Sequence, residues 1–357
     1  MTTILATVFV LGVLVFIHEL GHFLAAKLFR IRVERFSLGY PPRMIGKKIG
    51  ETDYCLSWVP FGGYVKISGM VDESMDTKQM ESPPQKWEFR SRPWFQKSVV
   101  ILAGPLMNLL LAYVIFVGSI LHQGIGEYTN KPVVGTVVPG KPAAAAGLQP
   151  DDRILSINNE PIEDWDDLSE CIHGSAGKTL HIIWSRGDSL FQADVIPVSE
   201  KVPARRDIVE VGLIGINARI EMRPASLREA FVTGGKNMVF ITELIIVSIG
   251  KLISGEESIK SLAGPIFIAK MAGESARSGF ENLIGFLAFL SLNLGILNLL
   301  PLPVLDGGHL LILNIEGIIR KTIPVRIKLI IQQVGMVMIL MLMLFVIYQD
   351  IVRVVHK

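Results

Sequence analysis

Long apolar runs alternate with polar, turn-rich segments along this chain. About 20 mostly apolar residues are enough to cross a hydrocarbon core of ~30 Å as a helix. Four stretches qualify. Thr3–Leu28 is interrupted only by HELGH and Lys27. Ser98–Leu121 and Asn282–Leu305 each run 24 residues without a charge, and Leu329–Gln349 runs 21. A fifth stretch, Ala230–Ile253, is apolar but carries Lys236, Glu243 and Lys251. Those charges predict an amphipathic helix lying at the membrane surface. An ordinary span is the alternative.

The segments between the runs carry shorter patterns. Residues 133–172 read as strand and loop (PVVGTVVPG), a short helix (PAAAAGLQPDD), then a strand and turn (RILSINNEPI). LHIIWSRG and FQADVIPV supply later strands. DYCLSWVPFGGYVKISG (53–69) alternates in places and predicts a hairpin with its turn near Pro60–Gly63. The expected architecture is a polytopic α-helical membrane protein with four transmembrane helices, an inserted extracytoplasmic α+β domain and a cytoplasmic-side, membrane-associated β-hairpin. The expected boundaries are a first span at 1–29, a cytoplasmic loop with the hairpin at 30–96 and a second span at 97–121. The inserted domain follows at 128–222, then the surface helix and linker at 223–281. A third span at 282–305, a cytoplasmic loop at 306–328 and a fourth span at 329–350 complete the chain.

Charge orients these pieces. Half of the 357 residues are hydrophobic and 19% are charged, and the mean hydropathy is +0.45. The net charge of +2 argues against a nucleic-acid partner. Twelve Lys and Arg residues fall between Arg30 and Lys97 and four between Arg320 and Lys328, while the first ten residues carry no charge. The excess of basic residues puts 30–96 and 307–328 in the cytoplasm. Both termini and residues 122–281 then lie outside. Cys55 and Cys171 face opposite sides and are not expected to pair. The apolar N-terminus has neither a basic n-region nor a small-x-small cleavage site, so it is expected to be retained.

The first span holds the candidate chemistry. His18 and His22 are four residues apart, which puts both imidazoles on one helix face. Two such nitrogens can hold one zinc ion, with Glu19 beside them as general base. A helix with a chance polar face is the plain alternative, but ionisable groups inside a span are rare and usually functional. Catalytic zinc needs a third protein ligand and an open position. Phe23–Leu28 offers none, so the ligand must come from another span. The best candidate is Asp306 in NLLPLPVLDGGHLL, with His309 as runner-up. Asp306 could instead simply cap the next helix. With four spans, the first and third run in the same direction, and Asp306 shares the depth of His22. Pro301 and Pro303 each remove a backbone donor. Irregular backbone at membrane depth is tolerated where it lines a protein cavity. Asn293 and Asn298 are amides in the third span, and either could bond a neighbouring helix. Asn298, one turn before the break, is also positioned to bond a substrate backbone. Asn108, inside the second span, could likewise bond a neighbouring helix.

FIHELGH in the first span and NLLPLPVLDGG in the third resemble the site-2 protease family of intramembrane zinc metalloproteases. The order of parts resembles the RseP-type regulators of the bacterial envelope stress response. FGGYVKISG (61–69), AGPLMN (103–108), a PDZ-like outer segment and LAGPIFIA (262–269) extend the likeness over nearly the whole chain. The outer segment has room for one PDZ domain where the best-known relatives carry two, so gating by a tandem pair does not transfer. The usual Gly-Asp of the PDZ domain is Asp151-Asp152 here. The resemblance implies a zinc metalloendopeptidase with one Zn2+ per chain, held by His18, His22 and Asp306, with Glu19 as the catalytic base. It also implies a helping role for Asn108 in ordering the site. By the same resemblance a sheet edge would dip towards the site and could pair a substrate span as a strand against Gly62, Gly63, Tyr64, Val65 and the residues up to Ile67. Pairing in that way would open the span for attack. Asn298, Pro301 and Pro303 complete the expected substrate-binding set. The implied substrate is a single-span membrane protein in the bacterial cytoplasmic (inner) membrane, either an anti-sigma factor already cut outside or a signal-peptide remnant. The PDZ domain would bind a peptide or C-terminus, or else filter substrates by size. The rival functions are a membrane zinc carrier and a PDZ adaptor with a structural zinc.

Overall fold

A computed structural model of the chain describes residues 1–70, 82–203 and 208–355. They form two compact units, Met1–Ile120 together with the chain from Leu227 onward, and Leu121–Ser226. In chain order the first unit contributes α1 (Thr2–Leu28), β1 (Val33–Ile49), β2 (Thr52–Ile67) and α2 (Trp94–Gln123). The inserted unit holds β3 (Ile125–Tyr128), β4 (Val134–Val137), α3 (Pro142–Ala145), β5 (Arg153–Ile157), β6 (Glu160–Pro161) and α4 (Trp165–His173). It continues with β7 (Leu180–Arg186), β8 (Ser189–Val195), β9 (Val198–Pro203), β10 (Ile208–Leu213), β11 (Ile216–Ala218) and β12 (Ile220–Arg223). The chain then returns to the first unit with α5 (Leu227–Ser254), α6 (Pro265–Arg277), α7 (Phe280–Leu299), α8 (Asp306–Ile319) and α9 (Val325–Val355).

Among the described residues, five helices are long and apolar enough to cross a membrane, α1, α2, α5, α7 and α9, where the apolar runs predict four spans. The extra one is α5, whose best window has the lowest mean hydropathy of the five, 1.6. α7 ends at Leu299, because Pro301 and Pro303 cannot continue the helical ladder. The segment expected as a loop at 306–328 is largely helical. α8 starts at Asp306, runs 14 residues and buries Gly307, Gly308 and Leu313. Its four basic neighbours do not entail the loss of helix. Ala6, Val10 and Leu14, each one turn apart on α1, pack against Ala272 of α6 and Leu283 and Leu287 of α7.

The hairpin differs in detail from its expectation. The tight turn is Gly50–Glu51, closed by the Ile49–Thr52 pair, with φ +62 at Gly50. A two-residue turn with a left-handed glycine suits the twist of antiparallel strands. Near Pro60–Gly63, β2 instead changes partners. Up to Val59 it pairs with the far part of β1, for example Leu56 with Ile45. From Gly63 on it pairs with the near part, Leu38 with Gly63, Phe36 with Val65 and Val33 with Ile67. Arg35–Leu38 also face Asp53–Leu56 and so have neighbours on both sides. Gly63–Ile67 therefore form an outer edge. Phe36 and Tyr54 meet Phe23 of α1 edge to face, and Phe36 also meets Phe16 that way, so the sheet lies against the HELGH turn.

The inserted unit has its own core of Val134, Leu148, Ile154, Ile157, Leu168, Ile172, Leu180, Ile182 and Trp184. Its main sheet has the order β6-β5-β7-β8. The expected strands and short helix are all present. α4 was not anticipated, although Asp164 caps it by accepting the Asp167 N–H. Asp151 has φ +72, in the region that favours the glycine usual at this position, and Asp tolerates it. Asp152 is fully buried and accepts from the Gln149 N–H at 2.8 Å and from Arg186 Nε at 2.7 Å. Asp152→Ala leaves those donors without an acceptor and is expected to cost about 1–3 kcal/mol. The cost should appear as a lower unfolding temperature of this unit in the full chain, and an unchanged temperature would contradict it.

Candidate active site

The site begins with the HELGH turn of α1. His18 and His22 direct their Nε2 atoms to one point, 3.2 Å apart. Asp306, the first residue of α8, brings Oδ2 to 3.2 Å from His18 Nε2 and 3.5 Å from His22 Nε2. All three are largely buried. Their ligand atoms lie within 4.8 Å of one another, and no other such group of three occurs among the described residues. His309 sits one turn further along α8 and lines the cleft, but is not part of this cluster.

Local sequence explains the convergence. After α7 stops, the chain runs through Pro301 and Pro303 to Val304, which has φ +80. A β-branched residue there is strained by about 1–3 kcal/mol. That turn starts α8 with its carboxylate towards α1. Gly307 and Gly308 let the first turn of α8 lie against the carbonyls of Leu299, Leu300 and Leu302, where a Cβ would overlap them.

α2 supplies the surroundings. The Val100 carbonyl accepts a hydrogen bond from His22 Nδ1 at 2.8 Å. That bond holds the ring proton on Nδ1 and leaves Nε2 free as a ligand. A Cβ at Gly104 would come within 2.6 Å of His22 Cε1 and 2.9 Å of His18 Cε1. Gly21 rests in the same way on the Ala103 carbonyl. Pro105 cannot donate to the turn before it and loosens the helix there. Asn108 is fully buried with its amide 3.3 Å from His18 Nδ1. The sequence reading missed Val100, Gly21 and Gly104. Small residues inside AGPLMN were the available signal for the last.

A cavity of about 570 Å³ opens on these groups. Its lining includes Glu19, Asn298 and the sheet edge Gly62, Gly63, Tyr64 and Val65. Gly63 lies so close to α1 that a Cβ would be 3.4 Å from Glu19 Cγ. Asn298 makes no side-chain hydrogen bond among the described residues. Pro301 and Pro303 do not line the cavity. They act through the backbone, and Pro303 also packs on Gly335 of α9. Outside the spans, Arg43 hydrogen-bonds Asp53 and, with Arg35, holds that carboxyl below its usual range, which ties the sheet together near the cleft.

The residues fit a zinc ion. Two imidazoles and a carboxylate are a tetrahedral site short of one ligand, the open form that catalysis uses. The space they share is one that a single added methyl at Gly104 would fill. Apolar helices carrying this set beside a glutamate and a substrate-sized cleft define a membrane metallopeptidase. The sequence model of peptidase family M50 matches residues 6–342, and the chain belongs to that family, the zinc metalloproteases of site-2 type. It is 36% identical over 98% of its length to a protein of Nostoc sp. (strain PCC 7120) named "Putative zinc metalloprotease", of which 95% is covered. It is 30% identical to the "Regulator of sigma-W protease RasP" of Bacillus subtilis, over 98% of each chain. Among solved structures the chain is similar to the PDZ domain of the SdrC-like protein of Listeria monocytogenes. That likeness is 23% identical, with a TM-score of 0.20, and covers 26% of this chain and 93% of that one. The protein is thus a zinc-dependent protease of the membrane, and the carrier and adaptor readings fall away.

Proposed function

We propose that this protease hydrolyses peptide bonds within the transmembrane segments of single-span membrane proteins, with zinc held by His18, His22 and Asp306. The observation that carries this reading is an open sheet edge, Gly63–Ile67, in the same cavity as Glu19 and the three ligand atoms. A helical span hides its carbonyls in its own hydrogen bonds. Paired as a strand on that edge, it exposes them. Zinc supplies a Lewis acid that polarises the scissile carbonyl and acidifies water. Glu19 takes a proton from the attacking water as its oxygen bonds the carbonyl carbon. It returns the proton to the amine nitrogen as the C–N bond breaks. Asn298, which has no side-chain hydrogen bond among the described residues, binds the substrate backbone. The name of the Bacillus relative, a regulator of sigma-W protease, supports an anti-sigma factor as substrate, with signal-peptide remnants the second possibility.

Two contacts at the ends of α5 support a reading with four spans. α5 starts beside the C-terminal part of α2, where Tyr113 donates to the Phe231 carbonyl at 3.2 Å. Just beyond α5, Leu262 accepts from Arg353 near the C-terminal end of α9. The connection from Ser254 to Leu262 spans at most about 28 Å. That is less than the ~30 Å a return from the far side would need. We therefore read α5 as lying in the outer part of the membrane, with both termini and the PDZ domain outside and the active site towards the cytoplasm. The PDZ domain then faces the outer part of substrates, as a peptide site or a filter.

The edge is testable. Val65→Pro removes one edge N–H and should raise KM for a helical substrate span about tenfold, the worth of one hydrogen bond. Zinc content should stay at the wild-type level. An unchanged KM would exclude strand pairing at Val65.

A further inference from the structure

We propose that Asn108 is a positioning residue that sets the tautomer of His18 through its side-chain oxygen. This rests on the reading of His18 as a zinc ligand through Nε2. An imidazole that offers Nε2 to a metal carries its proton on Nδ1, so Nδ1 is a donor and needs an acceptor. His22 finds one in the Val100 carbonyl at 2.8 Å. The group facing His18 Nδ1 is the Asn108 amide, 3.3 Å away. With the amide nitrogen turned to His18, two donors would meet, and Asn108 Oδ1 is buried without a partner. The amide has two orientations of the same shape. A half-turn brings Oδ1 to His18, where it accepts the Nδ1–H. One end of the amide lacks a partner in either orientation, so the bond to a metal-polarised imidazole, the stronger kind, decides between them.

The backbone holds Asn108 in place for this. Its carbonyl accepts from Ser291 Oγ of α7 at 2.7 Å, which ties this turn of α2 to the helix that leads to Asp306. The two imidazoles are thus oriented from one helix, one by a main-chain carbonyl and one by a side-chain amide four residues after Gly104.

The test is zinc affinity of the purified full chain, read by chelator competition, together with the absorption spectrum of the cobalt-substituted protein. Asn108→Leu, similar in size but without an acceptor, should bind zinc 10–100-fold more weakly. Its cobalt spectrum should shift. Asn108→Asp keeps acceptor oxygens and loses the donor, and should hold zinc within a few-fold of wild type. Wild-type affinity in Asn108→Leu would overturn the proposal. So would an equal loss in Asn108→Asp, which would assign the effect to packing or to the amide N–H. A wild-type chain that holds no zinc would refute the ligand set itself, a distinguishable failure.

Discussion

Glu19→Gln is expected to lower kcat on a model transmembrane substrate by about 10³-fold, within the range for loss of a general base. Zinc should remain bound. Gln keeps the size and hydrogen-bonding reach of Glu but cannot take a proton at neutral pH. Glu19 lies in the cavity wall beside the three-residue ligand cluster and outside it. It should therefore be needed for the chemical step and dispensable for the metal. Single-turnover cleavage in detergent, run beside zinc analysis of the same preparation, separates the two. Cleavage at the wild-type rate would mean that another group is the base. Loss of zinc along with activity would make Glu19 a ligand.

Gly104→Val is expected to be equally severe by a different route. Any side chain at Gly104 enters the space of both imidazoles. The rings cannot move away, because His22 is tied to Val100 and both are stacked edge to face on each other. Zinc affinity should fall by more than the 10–100-fold of an outer-shell loss, and activity with it. Gly118→Val on the same helix is the control. A Cβ there meets nothing within 4 Å, so that variant should bind zinc and cleave normally. Equal zinc content in Gly104→Val and wild type would contradict the packing described for α2.

How much of this was legible follows from the kind of signal each part leaves. The i, i+4 spacing of His18 and His22 is local, and so is the break at Pro301 and Pro303. Asp306 was reachable because, with the four spans expected, the charge map makes the first and third run in parallel. The strand-rich unit showed itself through alternation and turn residues. α4 was missed although Trp165, Leu168 and Ile172 recur at helical spacing behind the cap at Asp164, because Asp166, Asp167 and Glu170 dilute the apolar signal. α8 reads as a loop in sequence because Lys and Arg residues cluster just after it. The acceptors at Val100 and Asn108 depend on how α2 packs beside α1. A main-chain carbonyl has no residue type to read. The sheet edge is similar, since a change of strand partners near Pro60–Gly63 and a tight turn at Gly50–Glu51 leave much the same Gly pattern in sequence.

On the proposed ligand set, HELGH is an incomplete zinc site until Asp306 joins it from a broken span. The most direct measurement is zinc per chain in purified wild type and in Asp306→Ala, after dialysis against a weak chelator. Wild type is expected to retain one zinc and Asp306→Ala close to none, with both chains folded by circular dichroism. Full retention of zinc by Asp306→Ala would contradict it.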